Sequence, residues 1–139
     1  MTLASIPVHS EAPHTGNLRP IQHEILQALT HLVTEEKSGM IDLHGLPFSE
    51  ADYNALEDFL GEGDIDITLN ILGKTRIRES SYAGVWRLEH FDPNDQRIGY
   101  FIEIGYVPEI LRSQCDDIKA GLDVMKTVLM MEEDVDETA

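Results

Sequence analysis

The chain has 139 residues, 42% of them apolar, which fits one ordinary folded domain and excludes wholesale disorder. Ten Lys and Arg stand against 26 Asp and Glu, a formal charge of −16. That field repels phosphate backbones and anionic lipid, so no nucleic-acid partner and no membrane docking are expected, whereas a basic partner surface is attracted.

Cys115 is the single cysteine, which excludes an internal disulfide and any multi-Cys zinc site. The first ten residues hold no basic residue and no continuous apolar core, unlike a secretory signal. No apolar run approaches the ~20 residues needed to span a bilayer. A reducing cytoplasm is the expected setting.

Residues 1–18 contain Pro7, Pro13, Gly16 and two histidines without an apolar period, and read as a flexible arm. From Pro20 a helix is expected, with Ile21, Ile25, Leu29, Leu32 and Val33 on one face and Ser38-Gly39 as its stop. Met40 to Leu43 is a short strand candidate. Ser49 and Asp52 form a capping-box variant before a second helix whose apolar face is Tyr53, Leu56, Phe59 and Leu60. Gly61 suits a left-handed helix end, and Gly63 follows at once, so a sharp turn is expected there.

Ile65, Ile67, Leu69 and Ile71 alternate with polar residues, the pattern of a strand with one buried and one wet face. A turn at Gly73-Lys74 leads to a run from Thr75 to Ser80 that places Arg76 and Arg78 opposite Ile77. After a bend at Ser80–Gly84, Trp86 and Leu88 fall on one side of a strand and Val85, Arg87 and Glu89 on the other. Asp92-Pro93-Asn94-Asp95 is a turn, followed by a strand from Arg97 to Tyr106. Pro108 ends it. Ser113 and Asp116 offer another capping box, and Leu111, Cys115, Ile118, Leu122, Met125 and Leu129 form a heptad seam. Packing on the sheet is the preferred explanation of that seam; a homodimer or partner groove is the alternative. The expected architecture is α+β: an antiparallel sheet of about four strands with helices on one face, in a single domain over 19–131, between the arm at 1–18 and a frayed acidic tail at 132–139.

Little in these elements carries catalysis. Asp64, Asp66, Thr68 and Asn70 mimic the start of a calcium loop, but Leu69 and Thr75 stand where such a loop needs Gly and a bidentate Glu. The six histidines lack metal-site spacing, and Cys115 in an apolar seam reads as a small buried hydrophobe. Gly61-Glu62-Gly63 is no phosphate loop, because it follows a helix and carries an acid. Lys74, Arg76, Arg78 and Arg87 form the one basic patch, which either contacts a partner or pairs with Asp64 and Asp66 across the hairpin. No catalytic residue, metal ligand or cofactor is expected.

Four landmarks occur in order: Leu46-Pro47-Phe48-Ser49-x-x-Asp52, Leu60-Gly61-Glu62-Gly63, Gly84-Val85-Trp86, and Ile102-Glu103-Ile104-x-x-Val107-Pro108-Glu109-Ile110. With their intervals they resemble the conserved module of the HupH/HyaF family of hydrogenase-expression proteins, over roughly Met40 to Leu111. The resemblance implies a non-enzymatic accessory protein for maturation of uptake nickel–iron hydrogenases. It also implies a chaperone role, with the iron–sulfur small-subunit precursor and other hydrogenase accessory proteins as partners. Typical members carry two related modules, and this chain has one. The expected partner surface comprises Gly61, Glu62, Gly63, Trp86, Glu103, Val107, Pro108 and Glu109 from these landmarks, with Arg76 and Arg78 from the basic patch. Two alternatives stay open: a nickel- or iron-binding accessory protein using His and Cys115, and a structural or regulatory subunit that dimerises through the heptad helix.

Overall fold

The computed structural model describes residues 14–138, with side chains described to residue 135. The arm's residues 1–13 therefore lie outside it. By compactness the chain divides into two units, Met1–Pro108 and Glu109–Ala139.

The first unit runs α1 (Leu18–Glu35), β1 (Gly39–Asp42), α2 (Glu50–Leu60), β2 (Asp66–Asn70), β3 (Lys74–Glu79), β4 (Val85–Phe91) and β5 (Arg97–Ile104). Among the described residues the strands form one antiparallel sheet in the order β1-β5-β4-β3-β2. The short candidate at Met40 is thus a fifth strand, paired with β5 so that Met40 faces Glu103 and Ile41 faces Ile102. The other strands are a meander joined by tight turns, as the alternation predicts. In the Asp92 turn, Asp95 N–H donates to Asp92 O at 3.0 Å, and the Asp92 carboxylate accepts from Asn94 and Gln96 N–H.

Helices α1 and α2 supply one side of the core. Ile21, Ile25 and Leu32 of α1 and Leu56 and Leu60 of α2 cluster with Ile41, Val85, Tyr100, Ile102 and Ile104 of the sheet. Pairing of Val85 with Ile104, Arg87 with Ile102 and Glu89 with Tyr100 puts these residues on the helix-bearing face. Trp86, Leu88 and Ile77 occupy the opposite face and are also buried.

Several local expectations change. Helix α1 starts at Leu18, and residues just before it are pinned. Asp52 accepts from the Thr15 hydroxyl at 2.5 Å and from Ser49 N–H at 2.9 Å, while Asn17 donates its side-chain amide to Pro47 O. The Thr15 hydroxyl, then the backbone N–H groups of Ser49 and Thr15, hold the Asp52 carboxyl well below the usual carboxylate range, against burial, which raises it. The Ser49–Asp52 capping box forms as expected. Helix α1 ends at Glu36 in a left-handed conformation rather than at Ser38-Gly39, because Gly39 is already strand. Val33 is exposed, not core. Strand β2 keeps its alternation, but as an edge strand it has no buried face: Ile67 and Leu69 are half-buried, and Ile65 and Ile71 are exposed.

The second unit holds a short 3-10 turn, Glu109–Leu111, and α3 (Cys115–Thr138). Helix α3 starts at Cys115, later than a Ser113 cap would place it, and continues through the acidic segment expected to fray. The seam is not buried: Ile118, Leu122, Met125 and Leu129 are 51–62% exposed, and Cys115 is exposed as well. A 3.5-residue period reports an apolar stripe and does not require that stripe to be covered.

Candidate functional site

The basic patch is absorbed into an ion cluster beneath α2. Glu57 lies on the side of α2 that meets the sheet, where β4 offers Arg87, a fully buried side chain. Arg87 donates to Glu57 at 2.5 Å and to Gly61 O at 2.6 Å, and sits 3.2 Å from Glu62. Arg78 of β3 donates to Glu89 at 2.9 Å and lies 3.4 Å from Glu62, and Arg97 closes on Glu89 at 3.3 Å. The Tyr100 hydroxyl donates to Glu57, and the Arg97 guanidinium stacks 4.3 Å above the Tyr100 ring. Burial, and then Glu57, push the Tyr100 phenol above its usual range. Arg76 pairs with Asp66 at 2.7 Å and Lys74 lies 3.6 Å from Asp95. Only the Asp66 pairing follows the expected cross-hairpin pattern; Arg78 and Arg87 instead reach acids of α2, β4 and the Gly61–Gly63 turn.

This cluster fixes that turn. Gly61 has φ +63 with ψ −164, outside the ordinary left-handed helix end. Its carbonyl is held by Arg87, and Ser81 N–H and hydroxyl both donate to Leu60 O at 2.8 Å. Gly63 is required by close approach: a Cβ there would stand 2.6 Å from Ser80 O.

A second feature lies at the end of the sheet where β4 begins and β5 ends. Leu29, Leu32 and Val33 of α1, with Glu79, Ala83, Gly84, Trp86 and Tyr106, line a largely apolar cavity of about 320 Å³. Trp86 is buried and donates its indole N–H to Gly105 O at 3.1 Å. Gly84 has φ +86, a conformation in which a side chain would be strained, and a Cβ there would lie 3.6 Å from the Leu29 and Leu32 methyls, an ordinary contact. Val33 and Tyr106 stand at the rim, 79% and 74% exposed. An apolar pocket with an exposed aliphatic and an exposed aromatic side chain is built to receive an apolar side chain.

The expected surface residues therefore separate. Gly61, Glu62, Gly63 and Arg78 meet in the ion cluster, Arg76 lies beside it on β3, and Trp86 lines the cavity. Glu103 is buried on the opposite face, Val107 is exposed, Pro108 is buried and Glu109 lies 3.6 Å from Arg112. Val33 and Tyr106 escape a sequence reading that assigns helix apolars to the core and stops at the strand end. An aromatic two residues before Pro108 was the available signal. Among the described residues no three His, Cys, Asp or Glu side chains group to hold a metal ion, and no helix is long and apolar enough to cross a membrane.

A family model described as the HupH hydrogenase expression protein, C-terminal conserved region, matches residues 15–131. The chain belongs to the HupH family. Among HupH-type relatives, the hydrogenase expression/formation protein HoxQ of Cupriavidus necator is 34% identical over 115 residues, 81% of this chain and 39% of that protein. The hydrogenase expression/formation protein HupQ of Azotobacter chroococcum is 26% identical over 114 residues, 81% of this chain and 40% of that protein. The chain thus spans about 40% of the length of such relatives. The solved hydrogenase expression protein HupH from Thiobacillus denitrificans superposes with a TM-score of 0.79 at 31% identity, over 87% of this chain and 99% of that one.

Proposed function

We propose that this chain is an accessory protein in the formation of a nickel–iron hydrogenase. It acts without catalysis, as a chaperone that holds a hydrogenase subunit, the iron–sulfur small-subunit precursor. The observation that carries this reading is the cavity around Trp86, where two of the family landmarks, Gly84-Val85-Trp86 and the Ile102–Ile110 segment, meet exposed Val33 of α1. Relatives 26% and 34% identical to this chain are named hydrogenase expression/formation proteins. The charged groups under α2 support a binding role, since they are tied to each other and Tyr100 is held protonated.

The test is retention of separately produced small- and large-subunit precursors on the immobilised chain, in the soluble cell fraction where the reading places it. The small-subunit precursor is retained and the large one is not. Val33→Glu and Tyr106→Ala, both at exposed positions, each weaken retention at least about tenfold, the scale of one lost anchor side chain. Retention by both variants equal to that of the parent chain, or capture of neither precursor, removes the reading.

A further inference from the structure

The sheet has two edges, and they differ. On β2, the Asp66–Arg76 pair stands at the margin, Ile67 and Leu69 are half-buried and the alternate residues are exposed. Like β2, the sequence Gly39-Met40-Ile41-Asp42 of β1 carries neither lysine nor proline, the residues that commonly guard an edge. Leu43 N–H donates to Tyr100 O, so the hydrogen-bonded β1–β5 pairs are those of Leu43, Ile41 and Gly39. By antiparallel alternation, the N–H and C=O groups of Met40 and Asp42 point outward, away from β5. No described strand pairs with that side.

A four-residue edge is by itself ordinary, but this one borders a cavity. Glu24, Gln27, Ala28 and His31 of α1 face Gly39, Met40 and Ile41 across about 250 Å³. Its floor is small and apolar, at Ala28, Gly39 and Ile41, and Glu24 stands on its wall. On the opposite face of the same strand, Met40 is 54% exposed and Asp42 is exposed beside it. A strand added here would alternate, one set of side chains entering the cavity and the other lying over Met40 and Asp42. Carboxylates thus flank both sets: Glu24 on one face and Asp42 on the other, in a chain of charge −16.

We infer that the outer edge of β1 binds an extended, basic polypeptide segment by strand addition. The segment pairs its backbone with Met40 and Asp42, places small apolar side chains over Ala28 and Gly39, and sets Lys or Arg against Asp42 and Glu24. This deepens the client-binding reading and rests on it for the natural partner. The mode of binding is tested independently of that partner.

The probe is an eight-residue peptide alternating Val with Arg, titrated into the full chain, with a Val–Glu peptide as control. The Val–Arg peptide binds at least tenfold more tightly than the control and slows amide exchange at Met40 and Asp42. Met40→Pro removes an outward donor that β5 does not use, and weakens binding at least tenfold. Glu24→Lys, at an exposed helix position, weakens it severalfold and carries the test should Met40→Pro fail to fold. Equal binding of the two peptides, or protection appearing at β2 instead, overturns the inference. So does protection of Met40 that rises with protein concentration alone, which would assign the edge to a second copy. Retention of the small-subunit precursor by Met40→Pro at full strength overturns it while leaving the client reading intact. Peptide binding at β1 without precursor retention does the reverse.

Discussion

Arg87 shows what a single charged side chain does in this fold. It is fully buried, yet its guanidinium reaches Glu57, Glu62 and the Gly61 carbonyl. Replacing it with Met leaves Glu57 with only the more distant Arg78, 3.6 Å away, as its cation. Loss of one partner of a buried pair costs about 3–5 kcal/mol, and the low end applies because Glu57 keeps a third of its side chain exposed. Arg87→Met is therefore expected to lower the urea-unfolding free energy by about 3 kcal/mol. Tyr100 adds a pH dependence of defined sign. Its folded phenol pKa is raised by burial and by Glu57, above the unfolded value near 10. The stability it contributes is fully present below pH ~10 and is lost as pH rises beyond that. Alkaline absorbance titration checks this: the signal that Tyr100→Phe removes should appear only together with unfolding, and ionisation of Tyr100 in the folded chain would contradict it.

At the scale of elements, alternation and periodicity locate faces without saying what covers them. β2 and β5 have the same period of two, yet β5 lies between β1 and β4 while β2 ends the sheet. The heptad seam of α3 is as regular as a core helix, and its side chains are half exposed. Leu122→Asp is accordingly expected to change the unfolding free energy of the chain by less than about 0.5 kcal/mol, as at other exposed sites. A loss of several kcal/mol in denaturant titration would place Leu122 in a packed interface. The strands from Lys74 to Ile104 and the α2 capping box were legible because each is set by neighbours within a few residues. The Gly61–Gly63 turn was legible from its two glycines, although Arg87 and Ser81 hold it from a distance. The ion cluster was not. Arg87 reads locally as one more basic strand residue, and its partner Glu57 lies 30 positions away. The cavity at Trp86 was half legible: the landmarks marked Trp86, but Val33 and Tyr106 are brought there only by docking of α1.

For the whole molecule the dominant quantity is charge. Because the basic residues of the β3–β4 patch are already paired with acids, the −16 is not offset by a free positive surface at that patch. A precursor bearing a basic segment should bind with strong salt dependence, its Kd rising at least about tenfold between 50 and 500 mM salt as the field is screened. A Kd indifferent to salt would leave the apolar cavity as the source of affinity and remove the electrostatic part of the proposal.

The bonds between α2 and the sheet also predict an order of events in folding. Glu57 meets Arg87 across 30 residues and Tyr100 across 43, whereas the meander from β2 to β5 is closed by turns of a few residues. Short loops close first, because the entropy of closure rises with separation. That ordering predicts that Arg87 and Tyr100 reach their places before α2 joins the sheet, with the Glu57 carboxylate, which stays a third exposed, meeting them late. Interactions made after the rate-limiting step act on escape from the native state, so Arg87→Met is expected to speed unfolding more than it slows folding, as a latch on unfolding would.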